Sequence, residues 1–320
     1  MTFLVTGGLG VNGSWVTRKL IQRSFRPVVM EMRRDLSIIG AEHEQDMDVV
    51  IGDCADRAVL RDTLQRFGVT CIIHMAAIVG GAQKEPAETF RVNAMGTVML
   101  FDEALRAGIR RVVFTSSRGV YGPSQGDHAH PTYRPVREDD PQRPALVYDV
   151  CKIAAEGIGR NYAKDHGLEF VALRFAQIYG PGKVARHGNY GVLSRIIEGP
   201  VHGEAVDIAQ GGDQFDDMIY VDDVAEGTVL AAIHARPRYT EYNISRGVGT
   251  TLNDLADAVR AVVPDARIKI GGGLDYLGFG VNYSCIMDNT RAVEDLGFRA
   301  RFDLASAVRD YVAQMKRLGI

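Results

Sequence analysis

The chain has 320 residues, 46% hydrophobic and 24% charged, an ordinary balance for a soluble globular protein and enough length for one large α/β unit or a core with a smaller attachment. Its net charge is -3 without a basic block, so electrostatics give no reason to expect nucleic acid or a membrane surface as partner. Cys54, Cys71, Cys151 and Cys285 are scattered, with no Cys-x-x-Cys pair and no Cys/His cluster at zinc spacing, which predicts reduced thiols and no metal centre.

Met1 to Val5 is a short apolar run that reads as a strand, and Trp15 to Ile21 carries apolar residues at helical spacing. Between them lies Gly7-x-x-Gly10-x-x-Gly13, with Val11 and Asn12 inside it. In a strand–turn–helix context this spacing fits a dinucleotide. Gly7 permits the tight exit, Gly10 lets the backbone touch a pyrophosphate, and Gly13 lets the helix lie close on the sheet, so that phosphates meet N–H groups at the positive end of the helix dipole. The amino terminus enters the strand directly, leaving no room for a signal peptide, and no apolar run approaches a membrane span; a cytosolic location is expected.

Pro27 to Met30 reads as a second strand ending in Glu31, about twenty residues past the turn, where an acidic side chain accepts hydrogen bonds from the adenosine ribose and repels a 2′-phosphate. This favours NAD over NADP, although Arg33 and Arg34 follow at once and pull the other way. A third strand, Val49 to Asp53, places Asp53 and its neighbour Cys54 beside the adenine. After a helix over about Arg57 to Phe67, Cys71 to Ala77 is wholly apolar but for His74, the pattern of a strand buried on both faces. Ala76 and Ala77 at its tip have little bulk, which predicts contact with the flat face of a cofactor.

A helix over about Pro86 to Ala107 carries Asn93, whose carboxamide is a candidate cofactor contact. Val112 to Ser117 is a further strand ending in hydroxyls. The alternation to this point predicts a doubly wound parallel sheet with right-handed crossovers. Gly122 to Pro144 reads as a long functional or mobile loop, and His128-x-His130 falls inside it without the setting of a metal site. A helix from near Tyr148 to about Asp165 follows, then a strand over Phe170 to Arg174 and Gly180-Pro181-Gly182. From Lys183 to Gln214 no clean period is visible, which suggests a smaller substrate-side lobe. Met218 to about Ala235 predicts a strand end and helix, Tyr242 to Ile244 a short strand, Leu252 to Val263 a helix, and Ala305 to Leu318 a closing amphipathic helix.

Tyr148 and Lys152 stand four apart on one helical face. A phenol is protonated at neutral pH, but an ammonium one turn away and a positively charged nicotinamide favour the phenolate. Tyr148 is then able to take the proton of a secondary alcohol as its hydride leaves, with Ser117 holding the same oxygen and Lys152 also placed for the nicotinamide ribose.

The sequence resembles the extended short-chain dehydrogenase/reductase superfamily, in its NAD-dependent epimerase/dehydratase branch, over nearly the whole chain. The resemblance rests on Thr6 to Gly13, Gly52-Asp53, His74 to Ala77, Val92 to Thr97, Ser116 to Gly122, Tyr148 to Lys152, Leu173 to Gly182 and Tyr220 to Ala225. It implies that Asp53 meets adenine, that Met75 to Val79 line the cofactor, that Ser117, Tyr148 and Lys152 are the catalytic trio, and that a homodimer forms through the helices holding Asn93 and Tyr148. Ala176, beside the last strand tip, completes the expected cofactor contacts.

Departures from the family bear on the substrate. Members acting on nucleotide-linked sugars usually carry Arg just before the Asp of Asp-x-Ile-Tyr-Val, where it grips a pyrophosphate; here Asp216 precedes Asp217, and a carboxylate there would repel phosphate. The later arginine-bearing segment is replaced by Gly271 to Gly278, the customary Asn is Gln177, and the Asp-Glu pair of sugar dehydratases is Arg118-Gly119. Gly119 to Pro123 is similar to the short-chain L-threonine dehydrogenase branch. Arg118, Lys183, Arg186 and His187 are the candidate partners of a substrate carboxylate.

The expectation is therefore an α/β, Rossmann-type doubly wound parallel sheet with a small C-terminal substrate-binding lobe: residues 1–182, completed by about 216–245, bind NAD, and 183–215 with 246–320 form the lobe and closing helix. The expected activity is hydride transfer from a secondary alcohol of a small non-phosphorylated substrate (a hydroxy acid, amino alcohol or sugar derivative), without nucleic acid or membrane partners. The alternatives are a nucleotide-sugar 4-epimerase and, from another class, a non-catalytic dinucleotide sensor.

Overall fold

A computed structural model describes residues 1–187 and 191–320, except for the side chain of His187. The main sheet has seven parallel strands: β1 (Phe3–Thr6), β2 (Val28–Glu31), β3 (Asp48–Ile51), β4 (Cys71–His74), β5 (Arg111–Ser117), β6 (Glu169–Phe175) and, from later in the chain, Glu241–Ile244. The spatial order runs from the Glu241–Ile244 strand through β6, β5, β4 and β1 to β2 and β3. The chain starts in the middle, moves out to one edge, and returns to build the other half. The crevice at the β1/β4 fork, where the direction reverses, is where such sheets bind ligands.

Both faces of the sheet are covered, which is why its inner strands are almost wholly apolar. On one face α1 (Val11–Gln22) contributes Trp15, Val16 and Leu20 to the core. On the other, α2 (Arg57–Phe67) contributes Leu60 and Leu64. Asp56 caps α2, accepting from the Ala58 and Val59 N–H groups at 2.8 and 3.3 Å, and Gly68 ends it in a left-handed conformation. The helix expected over Pro86 to Ala107 is present but not uniform. It runs as α3 (Pro86–Phe90), a π-turn (Arg91–Met95) and α4 (Gly96–Arg106), with Asn93 inside the π-turn. The next helix, α5 (Val147–His166), packs beside α4 and stops at Gly167.

The stretch from Lys183 to Gln214 is more regular than its sequence suggests. After β7 (Gln177–Tyr179) come α6 (Lys183–His187), α7 (Val192–Val201) and β8 (Val206–Ile208). Then β9 (Asp216–Tyr220) pairs with β7, and α8 (Val221–Ile233) lies against α1. β10 (Glu241–Ile244) is the sheet's seventh strand, while β11 (Gly249–Thr250) pairs antiparallel with β9. α9 (Leu252–Arg260), β12 (Ile268–Ile270), α10 (Thr290–Asp295) and α11 (Leu304–Leu318) complete the chain, β12 pairing with β8. The long loop before α5 is anchored: Ser124 N donates to Asn282 O and Val136 N to Ile286 O, each at 2.8 Å. Among the described residues no helix is long and apolar enough to cross a membrane.

Candidate active site

A cavity of about 470 Å³ opens along the carboxyl ends of the strands, from the glycine turn to the segment Leu277–Tyr283. Gly7 has φ +70°, and a Cβ there would lie 2.9 Å from the Ala76 nitrogen; at Gly13 it would lie 2.0 Å from the Gly7 carbonyl. Both positions exclude a side chain for want of space. Gly10 caps α1 with no side chain to satisfy the first-turn N–H groups, and the buried Asn12 Oδ1 has no hydrogen-bond partner among the described residues. The free N–H groups at the positive end of this twelve-residue helix suit a pyrophosphate, which accepts from them; the Asn12 side-chain oxygen, itself an acceptor, is not one of them.

The opposite wall is the tip of β4, and four side chains hold it. Thr6 Oγ1 accepts from the Met75 and Ala76 N–H groups at 3.2 and 3.3 Å, so its own proton goes to His74 Nδ1 at 2.7 Å. His74 Nε2 then donates to Thr97 Oγ1 at 3.0 Å, and Thr97 donates to the Asn93 carbonyl at 2.8 Å. Burial, helped by the Lys152 charge, pushes the His74 pKa down to about 3, so the ring is neutral. Asn93 departs from expectation. Its Oδ1 accepts from Ile78 N and its Nδ2 donates to Ile78 O, both at 2.8 Å. The carboxamide is thus committed to backbone, and Asn93 braces the cofactor wall from behind instead of lining it.

At the end of the cavity beside β2 and β3, Glu31, Asp53 and Cys54 are in the lining. Asp53 accepts from Ala55 N at 2.8 Å and pairs with Arg91 at 3.2 Å. Burial raises the Cys54 thiol to about 12, so it packs as a small apolar group. Arg33 and Arg34 do not line the cavity; Arg34 pairs with Glu44 at 2.6 Å. The wall at this end of the cavity therefore keeps the carboxylate of Glu31.

Ser117, Tyr148 and Lys152 all open on this cavity, with Met75, Ala76, Ala77 and Ala176 nearby in its lining. Ser117 Oγ accepts from Gly119 N at 3.0 Å, which leaves its proton for an oxygen in the cavity. Lys152 is buried; its Nζ donates to the Thr115 carbonyl at 2.7 Å and lies 4.6 Å from the Phe114 ring centroid and 5.3 Å from that of Tyr148. Burial lowers its pKa to about 8 against the opposing pull of Cys151 and Glu156.

One turn beyond Lys152, Glu156 was not foreseen as a site residue. It accepts from Ser116 Oγ at 2.6 Å, from Arg174 Nε and Nη2 at 3.0 and 2.7 Å, and from Gln142 Nε2 at 2.8 Å. These bonds fix α5 against the tip of β5, and so Tyr148 against Ser117. The only trace in the sequence is that Tyr148, Lys152 and Glu156 share a helical face.

The substrate-end expectations divide. Arg118 is buried and paired with Asp216, which also accepts from Tyr276 OH at 2.6 Å and Cys285 N at 3.3 Å. Asp216 does not line the cavity. Its charge is matched by Arg118, so the expected repulsion of phosphate across an open pocket is not its role. Arg186 is also corrected: it binds Asp35 at 2.6 Å and the Leu9 carbonyl at 3.0 Å, outside the cavity lining. Lys183 and Gln177 do line the cavity, facing Leu277, Phe279 and Tyr283. Asp149 accepts from Tyr283 OH at 2.7 Å, and burial raises its carboxyl pKa despite that bond. The side chain of His187 lies outside the described residues.

Comparison with known proteins agrees with this arrangement. Residues 3–245 match the NAD-dependent epimerase/dehydratase family. The chain is 31% identical to a UDP-glucose 4-epimerase of Mycolicibacterium smegmatis over 96% of each chain. It superposes with a TM-score of 0.84 on a UDP-glucose 4-epimerase from Thermotoga maritima bound to UDP-glucose, 26% identical with full coverage of both chains. A partial-consensus L-threonine 3-dehydrogenase, at 23% identity and a TM-score of 0.84, shares the fold over 99% of this chain and 100% of its own. A doubly wound parallel sheet with a glycine turn at its fork, a match over most of the length, and relatives that are enzymes lead to one assignment: the chain belongs to the NAD-dependent epimerase/dehydratase family of the short-chain dehydrogenase/reductase superfamily.

Proposed function

We propose that the protein is an NAD-dependent oxidoreductase acting on a secondary alcohol of a small, non-phosphorylated substrate, with Tyr148 as acid/base. The observation that carries this reading is the opening of Ser117, Tyr148 and Lys152 on one cavity whose far end is the glycine turn. Bound NAD supplies the acceptor for the hydride of the substrate carbinol. Tyr148 takes the hydroxyl proton as the C–H bond breaks and the C=O bond forms. Ser117 donates to the same oxygen and holds it in place, and the Lys152 ammonium stabilises the phenolate between turnovers. In the cofactor site, Asn12 and the first turn of α1 face the pyrophosphate, Glu31 the ribose, Asp53 the adenine, and Met75 to Ala77 with Ala176 the remaining faces.

A second reading, nucleotide-sugar 4-epimerisation, is favoured by the named activity of the relatives. The ketone would then stay bound, turn its other face and take the hydride back. Incubating the protein with NAD and either hydroxy acids, free sugars or UDP-sugars separates the two: stoichiometric NADH marks a dehydrogenase, and inversion without NADH an epimerase. Turnover of UDP-sugars alone would overturn the first reading.

We infer also a homodimer through α3 to α5. Phe90, Met95 and Val150 are large apolar side chains left exposed on these adjoining helices.

A further inference from the structure

Three described cations were candidates for the substrate end, and their surroundings separate them. Arg118 has Asp216, and Arg186 has Asp35. Lys183 is 7% exposed, donates to the Ile178 carbonyl at 2.5 Å, and has no carboxylate at ion-pair distance among the described residues. The charged neighbour it feels is Arg118, a like charge. Asp149, another carboxylate of the lining, accepts from Tyr283 OH at 2.7 Å and Leu146 N at 3.2 Å, so among the described residues Lys183 is the cation here without an ion-pair partner of its own.

An ammonium out of water with only a carbonyl for company is an unfavourable arrangement, and an entering anion relieves it. The facing wall of Leu277, Phe279 and Tyr283 supplies no second cation. Arg91, the other guanidinium in the lining, is engaged by Glu88 and Asp53. A single ammonium without an ion-pair partner among the described residues suits one carboxylate, whereas a diphosphate calls for several charged donors.

We propose that Lys183 anchors a carboxylate of the substrate, so that the cavity takes a hydroxy acid, such as a uronic acid or a β-hydroxy amino acid, in preference to its neutral counterpart. This rests on the reading of the cavity as a hydride-transfer site. Burial, with Arg118 adding to it, lowers the Lys183 pKa to about 7, in keeping with a cation lacking its counter-ion.

The test is calorimetric titration of the NAD-loaded protein with glucuronate, galacturonate and 3-hydroxybutyrate, each against its neutral amide, using wild type, Lys183→Met and Lys183→Arg. At least one acid is expected to bind about tenfold or more tightly than its amide. That preference should vanish in Lys183→Met and persist in Lys183→Arg, with melting curves and NAD titrations verifying that both variants are folded. Equal affinity of acid and amide in wild type, or an undiminished preference in Lys183→Met, would overturn the proposal. Its failure is distinguishable from failure of the hydride-transfer reading. In the first case neutral alcohols still turn over and still need Tyr148; in the second, no substrate is oxidised or inverted while carboxylate binding still follows Lys183.

Discussion

Tyr148 and Lys152 are separated by one turn of α5, with the ammonium 5.3 Å from the phenol ring, and the proposed mechanism gives this pair the acid/base work. Replacing Tyr148 with Phe is expected to lower kcat by about 10²–10⁴-fold, the usual range for a positioned proton-transfer group, with NAD affinity nearly unchanged. Steady-state kinetics beside a fluorescence titration of NAD checks this; undiminished turnover would remove Tyr148 from the mechanism. Lys183 allows a thermodynamic prediction. Its folded pKa, about 7, lies below its ordinary value of 10.5, so between those values the unfolded chain binds more protons. Stability should therefore rise with pH across that window, by up to about 1.4 kcal/mol per pH unit from this group. Lys183→Met should be more stable than wild type at pH 7, with the gap closing toward high pH. Urea denaturation of the cofactor-free protein at several pH values measures it, and a gap that does not change with pH would contradict the assignment.

At the scale of the element, α5 is effective because Glu156 ties it to Ser116 and Arg174. Glu156→Gln keeps the size of the side chain but loses the charge facing Arg174, so kcat should fall while KM for the alcohol changes little. A rise in KM with kcat unchanged would instead place Glu156 in substrate binding. The π-turn at Arg91–Met95 has a similar supporting role through Asn93. Asn93→Ala leaves the Ile78 N–H and carbonyl without these partners, which should cost about 1–3 kcal/mol and weaken NAD binding. A thermal melt with an NAD titration tests both.

The sequence revealed such elements unevenly. The pairing of Tyr148 with Lys152 is local, and its place on the helix after a Ser-tipped strand, downstream of the glycine turn, discloses it. Helix α7 went unread: Val192, Leu193, Ile196, Ile197, Pro200 and Val201 form its apolar face, but Gly199-Pro200 and the glycines around it concealed the period. Arg186 was not legible, because its partner is the Leu9 carbonyl, 177 positions away. Asp216 and Arg118 each looked available to a substrate for the same reason: nothing local shows that they meet, 98 residues apart.

For the whole molecule, the order of the strands creates the crevice, and the glycine turn makes it usable. The architecture was readable because apolar runs and helical periods alternate in the sequence and parallel crossovers have one hand. Gly13→Ala tests the union of turn and sheet. Its methyl would lie 2.0 Å from the Gly7 carbonyl, so α1 must move off the strand. NAD affinity should be lost and stability should fall by about 1–3 kcal/mol, the cost of overpacking. Unchanged NAD binding would show that the turn tolerates the displacement. If the exposed apolar residues of α3 to α5 join two copies, Met95→Glu with Val150→Glu should yield a monomer in sedimentation; an unaltered assembly would move the interface elsewhere.

The chain of hydroxyl, imidazole, hydroxyl and carbonyl that runs from Thr6 to Asn93 has a consequence for how the protein meets acidity. With the His74 pKa near 3, this scaffold keeps one protonation state wherever the fold survives, so the floor under the dinucleotide is deaf to pH. Sensitivity is left to the two buried lysines on the other walls, whose transitions, about 8 and about 7, fall near neutrality. Assay pH near neutrality should therefore alter which alcohols are handled and how fast, while the wall held by Thr6, His74, Thr97 and Asn93 keeps its bonds.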